Sequence, residues 1–381
     1  MVAEKFPICV EDLSCEWLSQ ILHKSGIPDD VKVKKFSVDP VGDPGQTSDV
    51  VRIQLEYDKE VPKGPASLIG KFPVKFDQAR QMAQAMNTYL KEVHFFKYVA
   101  DSAKGLAPRC FAAEIDLESH DFVLMLEDIA HLRLGEMFVS NPDDSRLMLN
   151  KMAPFHARWW NHPDLDKLDW IPQPGKPSFK PWMEQLKQVF AAILPMIKQQ
   201  FESYMSANAW ATLEKSLVVW DEMFDFTPGP FTLCHGDYHY LQCFFPTESD
   251  NRFSVIDWQV LCVNAAAMDV ARPLLIDPES RRVHEKDLVD SYYKILVQNG
   301  VKDYSLDELW EDIRLNAFWT SYIYILAIVQ TDNEIFKAYA EERGQDPYEA
   351  LLTWPGSGLD DWEASKAIDR YLERARAAKK L

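Results

Sequence analysis

The sequence predicts an α+β fold in two lobes: a small β-rich N-terminal lobe, and a larger, mainly helical C-terminal lobe carrying a catalytic β-hairpin. Three observations lead there. The chain has 381 residues, more than the ~250–300 at which a single hydrophobic core stops growing. Residues 31–73 and 110–128 have the alternating texture of strands, whereas the chain after Asp128 reads as helix. The exception is the stretch 231–259, FTLCHGDYHYLQCFFPTESDNRFSVIDWQ, in which two short apolar runs each deliver a carboxylate, Asp237 and Asp257.

Composition narrows the function classes. With 47% hydrophobic residues the chain can bury a sizeable core, and disorder is excluded. A net charge of −18 and a pI near 5.0 argue against nucleic acid or an anionic membrane as partner, since both require clustered Lys and Arg. A local cationic pocket for an anionic ligand remains compatible with that charge. The six cysteines are scattered without a CxxC pair, as expected of reduced, buried thiols in a cytoplasmic protein. No basic stretch followed by an apolar one marks a signal peptide near the N-terminus. The most apolar helix candidate, 315–329, lies between Arg314 and Asp332 and falls short of the ~20 residues that span a bilayer. The expected protein is a monomer or homodimer.

The elements follow in order. Residues 11–25 carry Leu13, Trp17, Leu18, Ile21 and Leu22 at helical spacing, and Gly26 and Pro28 stop that helix. VKVKKFSV, VVRIQLEY and SLIGKFP read as consecutive antiparallel strands joined by turns. One helix is expected from about Asp77 to Ala103, then two strands, FAAEID and HDFVLMLED. Beyond Asp128 come a helix over 145–160 with Pro154 inside it, a loop over 162–181, two helices to Phe226, and three or four more after Asp269. The lobes are expected at 1–127 and 128–381, linked near 126–129, with the hairpin in the second.

Phosphoryl transfer requires charge neutralisation, metal bridging, a phosphate cradle and an oriented nucleophile. Candidates for each occur in an order that fits a two-lobed kinase. Gly42 and Gly45, in the first hairpin turn, permit close backbone approach to phosphate. Lys71, ending SLIGK, can reach phosphates as a point charge, and Glu92 on the next helix can hold it extended. Asp237 would orient or accept the proton of an attacking hydroxyl, while Gln242 and Asp257 would ligate Mg²⁺.

HGDYHYLQ followed by VIDWQ resembles the catalytic loop and metal-binding Asp of the aminoglycoside phosphotransferase and choline kinase-like superfamily. Within it the chain is most similar to the ecdysteroid kinase-like (CHK) small-molecule kinases. GKFP, KEVHFFKYV and FVLMLEDI match the strand lysine, the helix glutamate and the interlobe hinge, and FHARWWNHPDL matches the helix before the catalytic loop. Asp269 in MDVARPLL matches an Asp that braces that loop. The resemblance covers roughly residues 30–330. It implies a protein-kinase-like fold that uses ATP and Mg²⁺, with the hinge backbone at Glu127 and Ile129 bonding adenine. The family usually has Asn where this chain has Gln242. The added methylene moves the amide oxygen by ~1.5 Å, against Mg²⁺ that demands near-octahedral geometry at about 2.0–2.1 Å.

Taken singly, these residues have bland readings. Lys71 alone is a solvated strand-end lysine, and Glu92 alone is a surface residue; the order of motifs raises both. His235 reads as a buried structural histidine, and the spacing of Cys234, His235, His239 and Cys243 fits no familiar zinc pattern. The sequence therefore indicates an ATP-dependent phosphotransferase acting on a hydroxyl of a small organic molecule. The alternative is a pseudokinase or ligand-binding module that keeps the cleft but not the reaction. A protein kinase fits less well: the chain has HGD in place of HRD, and too few residues separate Asp257 from Asp269 for an activation segment.

Overall fold

The computed structural model describes residues 6–42, 48–61, 64–103, 105–136, 140–177, 179–226, 228–330, 337–338, 340–342 and 344–378. The chain divides into two compact units. The first comprises Met1–Gly135 and Gln242–Leu261, the second Glu136–Leu241 and Cys262–Leu381. The first unit thus extends past the expected link at 126–129 and takes in half of the stretch around Asp257.

In the first unit, helix α1 (Cys15–Lys24) starts at Ser14, whose Oγ accepts the Trp17 N–H at 3.1 Å. Strands β1 (Val33–Pro40), β2 (Ser48–Tyr57), β3 (Ser67–Pro73), β4 (Cys110–Ile115) and β5 (Phe122–Glu127) form one sheet in the order β1-β2-β3-β5-β4. Every neighbouring pair in it is antiparallel. One face, carried by Val51, Ile53, Leu68, Phe72, Val123 and Met125, joins Leu18, Ile21 and Leu22 of α1 in an apolar core. Alternation along β3 turns Lys71, between Gly70 and Phe72, to the opposite face.

Where a single helix was expected over 77–103, the structure has two, α2 (Asp77–Ala85) and α3 (Thr88–His94). They are separated at Asn87, whose φ of +53° is left-handed, a conformation Asn tolerates better than most residues. After α3 the helix widens to a π turn over Phe95–Val99 and tightens to a 3₁₀ turn over Ala100–Ala103.

The stretch around Asp257 joins this unit through pairing and packing. Strands β6 (Arg133–Leu134), β8 (Cys243–Phe245) and β9 (Ser254–Val255) form a small antiparallel sheet with β8 central. The hairpin that ends at Asp257 is therefore β8–β9. Strand β7 (Thr232–Cys234), which leads to Asp237, pairs instead with β10 (Cys262–Asn264) in the second unit. Apolar Cys243-Phe244-Phe245, which the sequence places after Gln242 without assigning an element, supplies the central strand. Trp258 is fully buried; its ring stacks on Phe95 at 3.9 Å and 7°, and its Nε1–H donates to the Val255 carbonyl at 3.1 Å.

The second unit is helical. Helix α4 (Pro142–Trp159) starts earlier than expected because Asn141 Oδ1 accepts the Asp143 and Asp144 N–H groups, and Pro154 lies within it. Three helices, not two, fill the next segment: α5 (Phe179–Phe201), α6 (Ala207–Val218) and α7 (Trp220–Asp225). Then come α8 (Ala267–Leu274), α9 (Pro278–Gln298), α10 (Leu306–Gln330), α11 (Trp354–Asp361) and α12 (Ala364–Ala378). Phe190, Trp210, Trp220, Tyr292 and Tyr322 are central members of its core. Among the described residues no helix is long and apolar enough to cross a membrane.

Trp258→Ala removes a fully buried indole, its stacking partner and its hydrogen bond, and should lower unfolding stability in urea by about 3–5 kcal/mol. A loss below about 1 kcal/mol would show that the Phe95–Trp258 stack does not hold residues 242–261 to the first unit.

Candidate active site

The first unit places Lys71, Glu92, Gln242 and Asp257 together. Lys71 Nζ donates to both Glu92 carboxylate oxygens, at 2.7 and 2.8 Å, and to Asp257 Oδ1 at 3.0 Å. Lys71 and Glu92 are only 8% and 3% exposed, so water screens this cluster weakly. Burial alone would lower the Lys71 pKa, but the Asp257 and Glu92 carboxylates outweigh it and raise it above the ordinary lysine value. Burial raises the Glu92 carboxyl, opposed by the Lys71 ammonium and the Trp258 backbone N–H. The lysine is therefore a fixed, charged ammonium.

Asp257 adopts φ +67°, a left-handed conformation that turns the chain out of β9. Its Oδ2 accepts the Gln242 Nε2–H at 3.2 Å and the Gln259 Nε2–H at 3.1 Å. The longer Gln242 side chain thus still brings its amide to the Asp257 carboxylate. Gln259, two residues beyond Asp257 in VIDWQ, joins the cluster although no motif points to it; its spacing from Asp257 is the available signal.

Around the hinge candidates, Glu127 is the last residue of β5. Its Oε1 accepts Arg252 Nη1–H at 2.8 Å and its Oε2 accepts the Arg109 N–H at 3.3 Å. Its side chain is engaged within the protein, and its own N–H donates to the Arg109 carbonyl at 2.8 Å. Ile129 is buried in the turn that follows, which Asp128 holds by accepting from Arg52 Nε and Ser67 Oγ, both at 2.6 Å. Gly42 follows β1 with φ +71° and has open space where a Cβ would stand. Gly45 lies outside the described residues.

The second unit positions Asp237. Strand β7 ends at Cys234, and the loop that follows is held by Asp269 of α8: its Oδ2 accepts the His235 N–H at 2.6 Å and its Oδ1 the Gly236 N–H at 2.9 Å. His156 Nε2 lies 3.2 Å from Asp269 Oδ2, and His156 Nδ1 is hydrogen-bonded to the Tyr292 hydroxyl at 2.7 Å. His235 is fully buried, and its Nδ1 accepts the Asp237 N–H at 3.3 Å. The buried trio His156, Cys234 and Asp269 has its ligand atoms mutually close, but these hydrogen bonds already engage Asp269 and His156, and the Cys234 thiol lies 3.4 Å from the Ala265 carbonyl.

Asp237 itself makes an ion pair that the sequence did not reveal. Its Oδ1 accepts from Arg272 Nη1, and its Oδ2 lies 3.5 Å from His239 Nε2. Arg272 is 9% exposed, and its guanidinium lies over the Tyr324 ring at 5.1 Å. Burial would raise the Asp237 pKa, but Arg272, and after it His239, outweigh burial and hold the carboxyl well below the usual range. Burial and Arg272 lower the His239 imidazole. The available signal was a lone cation in α8, whose residues are otherwise apolar apart from Asp269 and are buried throughout.

Taken unit by unit, the arrangement can do three things. A buried ammonium is presented next to a carboxylate, that carboxylate accepts from two side-chain amides whose own oxygens are of a donor type that would suit Mg²⁺, and a second Asp, paired with Arg272, follows a loop held by Asp269. Comparison with curated proteins gave no match. Among solved structures, the chain is similar to choline kinase from Cryptosporidium parvum Iowa II at 10% identity and a TM-score of 0.51, covering 94% of this chain and 98% of that one. It is similar to Plasmodium vivax ethanolamine kinase at 12% identity and a TM-score of 0.51, covering 92% and 89%. At such identities the likeness is one of fold. Residues 45–303 match the ecdysteroid kinase-like family model, and the chain belongs to that family.

Proposed function

We propose that this protein transfers the γ-phosphate of ATP to a hydroxyl of a small organic molecule, with Mg²⁺. The observation that carries the reading is the buried Lys71 ammonium fixed between Glu92 and Asp257, with two side-chain amides on the other Asp257 oxygen. The ion pairing of Lys71 engages only one Asp257 oxygen, and the two amides gathered on the other oxygen are beyond what that pairing uses.

In this reading Lys71 neutralises phosphate charge and Glu92 positions it. Gly42 and Gly45 cradle phosphate, and the backbone at Glu127 and Ile129 bonds adenine. Asp257 and the carbonyl oxygens of Gln242 and Gln259 would hold Mg²⁺, which when bound draws charge from the phosphate oxygens. Asp237 orients the acceptor hydroxyl through Oδ2, the oxygen opposite the one Arg272 engages. Because Arg272 keeps it a weak base, Asp237 takes the hydroxyl proton only as the new O–P bond forms and the bond from the γ-phosphorus to the leaving ADP breaks.

One observation favours a binding module without turnover: the Gln242 and Gln259 amide groups point their N–H to Asp257 rather than their oxygens to a common centre. Rotation of an amide by half a turn reverses this, so metal titration separates the readings. A catalyst shows an ATP-induced rise in melting temperature that grows with Mg²⁺; a module shows the same rise with and without it.

Asp237→Asn should lower kcat at least ~10²-fold while leaving ATP affinity within about threefold, measured by ATP consumption and nucleotide titration. Equal turnover in the variant would remove Asp237 from the reaction. Arg272→Gln removes the cation that depresses Asp237, so the acid limb of the kcat/KM profile should move to higher pH. An unmoved limb would show that Arg272 does not tune that carboxylate.

A further inference from the structure

The second unit contains a cavity of about 100 Å³ that shares no residue with the 235–242 loop. Four rings in its wall form a closed circuit. Phe179 and Trp182 of α5 have centroids 6.1 Å apart, Trp182 and Trp319 of α10 are 6.2 Å apart, Trp319 and Phe224 of α7 are 6.4 Å apart, and Phe224 returns to Phe179 at 6.3 Å. Successive planes are tilted by 47° to 67°. One acidic residue lines this wall, Asp312, two helical turns before Trp319 on the same face of α10. Its Oδ2 accepts the Tyr304 hydroxyl at 2.7 Å. Trp319 is 8% exposed, and its buried Nε1 has no hydrogen-bond partner among the described residues.

A buried carboxylate is costly unless hydrogen bonds and an opposite charge meet it; Tyr304 and Arg374 meet Asp312 only in part, since burial outweighs them, and tilted aromatic faces attract cations within about 6 Å of their centroids. A pocket for a neutral apolar guest would need no carboxylate. A pocket for an anion would exclude one. The volume is below the ~150 Å³ of an apolar cavity that admits benzene, which sets the buried part of the occupant at around five non-hydrogen atoms. We propose that this cavity binds a compact organic cation, an alkylamine or quaternary ammonium, with its charge on Asp312 and its alkyl surface against the four rings.

The site stands apart from the phosphotransferase reading, because a guest without a hydroxyl can occupy it and cannot be phosphorylated. Its affinity depends on pH through Asp312. Burial raises this carboxyl to about 6, with Glu308 and Glu311 adding to the rise and Tyr304 and Arg374 opposing it. Below that pH the group is neutral and the attraction is lost; above it the cation is held.

Tetramethylammonium chloride is the probe, titrated against the full chain at constant ionic strength, with saturation-transfer NMR on its methyl resonance. Saturable binding is expected at pH 7.5, weakened at least tenfold at pH 5 and at least tenfold in Asp312→Asn, with tert-butanol, of similar size and no charge, failing to displace it. The pH arm uses the unaltered protein, so it stands even if the variant does not fold. Non-saturable binding, equal affinity at the two pH values, equal affinity in a folded Asp312→Asn protein, or displacement by tert-butanol at similar concentration would each overturn the proposal.

Discussion

The buried ammonium of Lys71 is the constraint on which the rest of the first unit's candidate chemistry depends. An uncompensated charge at 8% exposure would be costly, and the fold meets it with Glu92 at 2.7 Å and Asp257 at 3.0 Å. Satisfying that one charge ties together three distant parts of the sequence: strand β3, helix α3 and the turn after β9. Alternation along β3 sends Lys71 to the α3 side of the sheet while Leu68 and Phe72 fill the core on the other. The stack of Phe95 on Trp258 then fixes the residue next to Asp257 against the end of α3.

The second unit uses the same logic with the charges reversed. Asp269 is buried and accepts two backbone N–H groups of the loop at 2.6 and 2.9 Å, which converts a desolvated carboxylate into a clamp. Asp237, three residues beyond β7, is compensated by Arg272, three residues after Asp269 on α8. One short helix thus supplies both the anion that shapes the loop and the cation that sets the proton affinity of its carboxylate. The boundary between the units falls between Leu241 and Gln242, so the two carboxylates at the ends of the motif belong to separately packed bodies.

Much of this was legible in the sequence because it depends on order and alternation. The five strands, Lys71 at the end of SLIGK and a helical setting for Glu92 could be read from periodicity and succession; the joining of the strands into one sheet could not. What could not be read depends on partners distant in sequence. β7 and β9 look alike as short apolar runs, yet one pairs with β10 and the other with β8, a choice made by tertiary packing. Arg272 offered no pattern because its role exists only where α8 meets the loop. The break at Asn87 needed only one residue to enter the left-handed region, too local an event to interrupt the apolar period around it. At Gln242 the sequence raised a question of length that the geometry answers in part: the side chain reaches Asp257.

The central claim is that these groups serve phosphoryl transfer to a hydroxyl. The most direct measurement is phosphorus NMR of the protein with ATP, Mg²⁺ and a pool of small hydroxylated metabolites. The account predicts a new phosphomonoester resonance growing in step with ADP, abolished when Mg²⁺ is chelated. Nucleotide binding by a folded protein, with no phosphomonoester formed at any Mg²⁺ concentration across acceptors of every charge class, would contradict it.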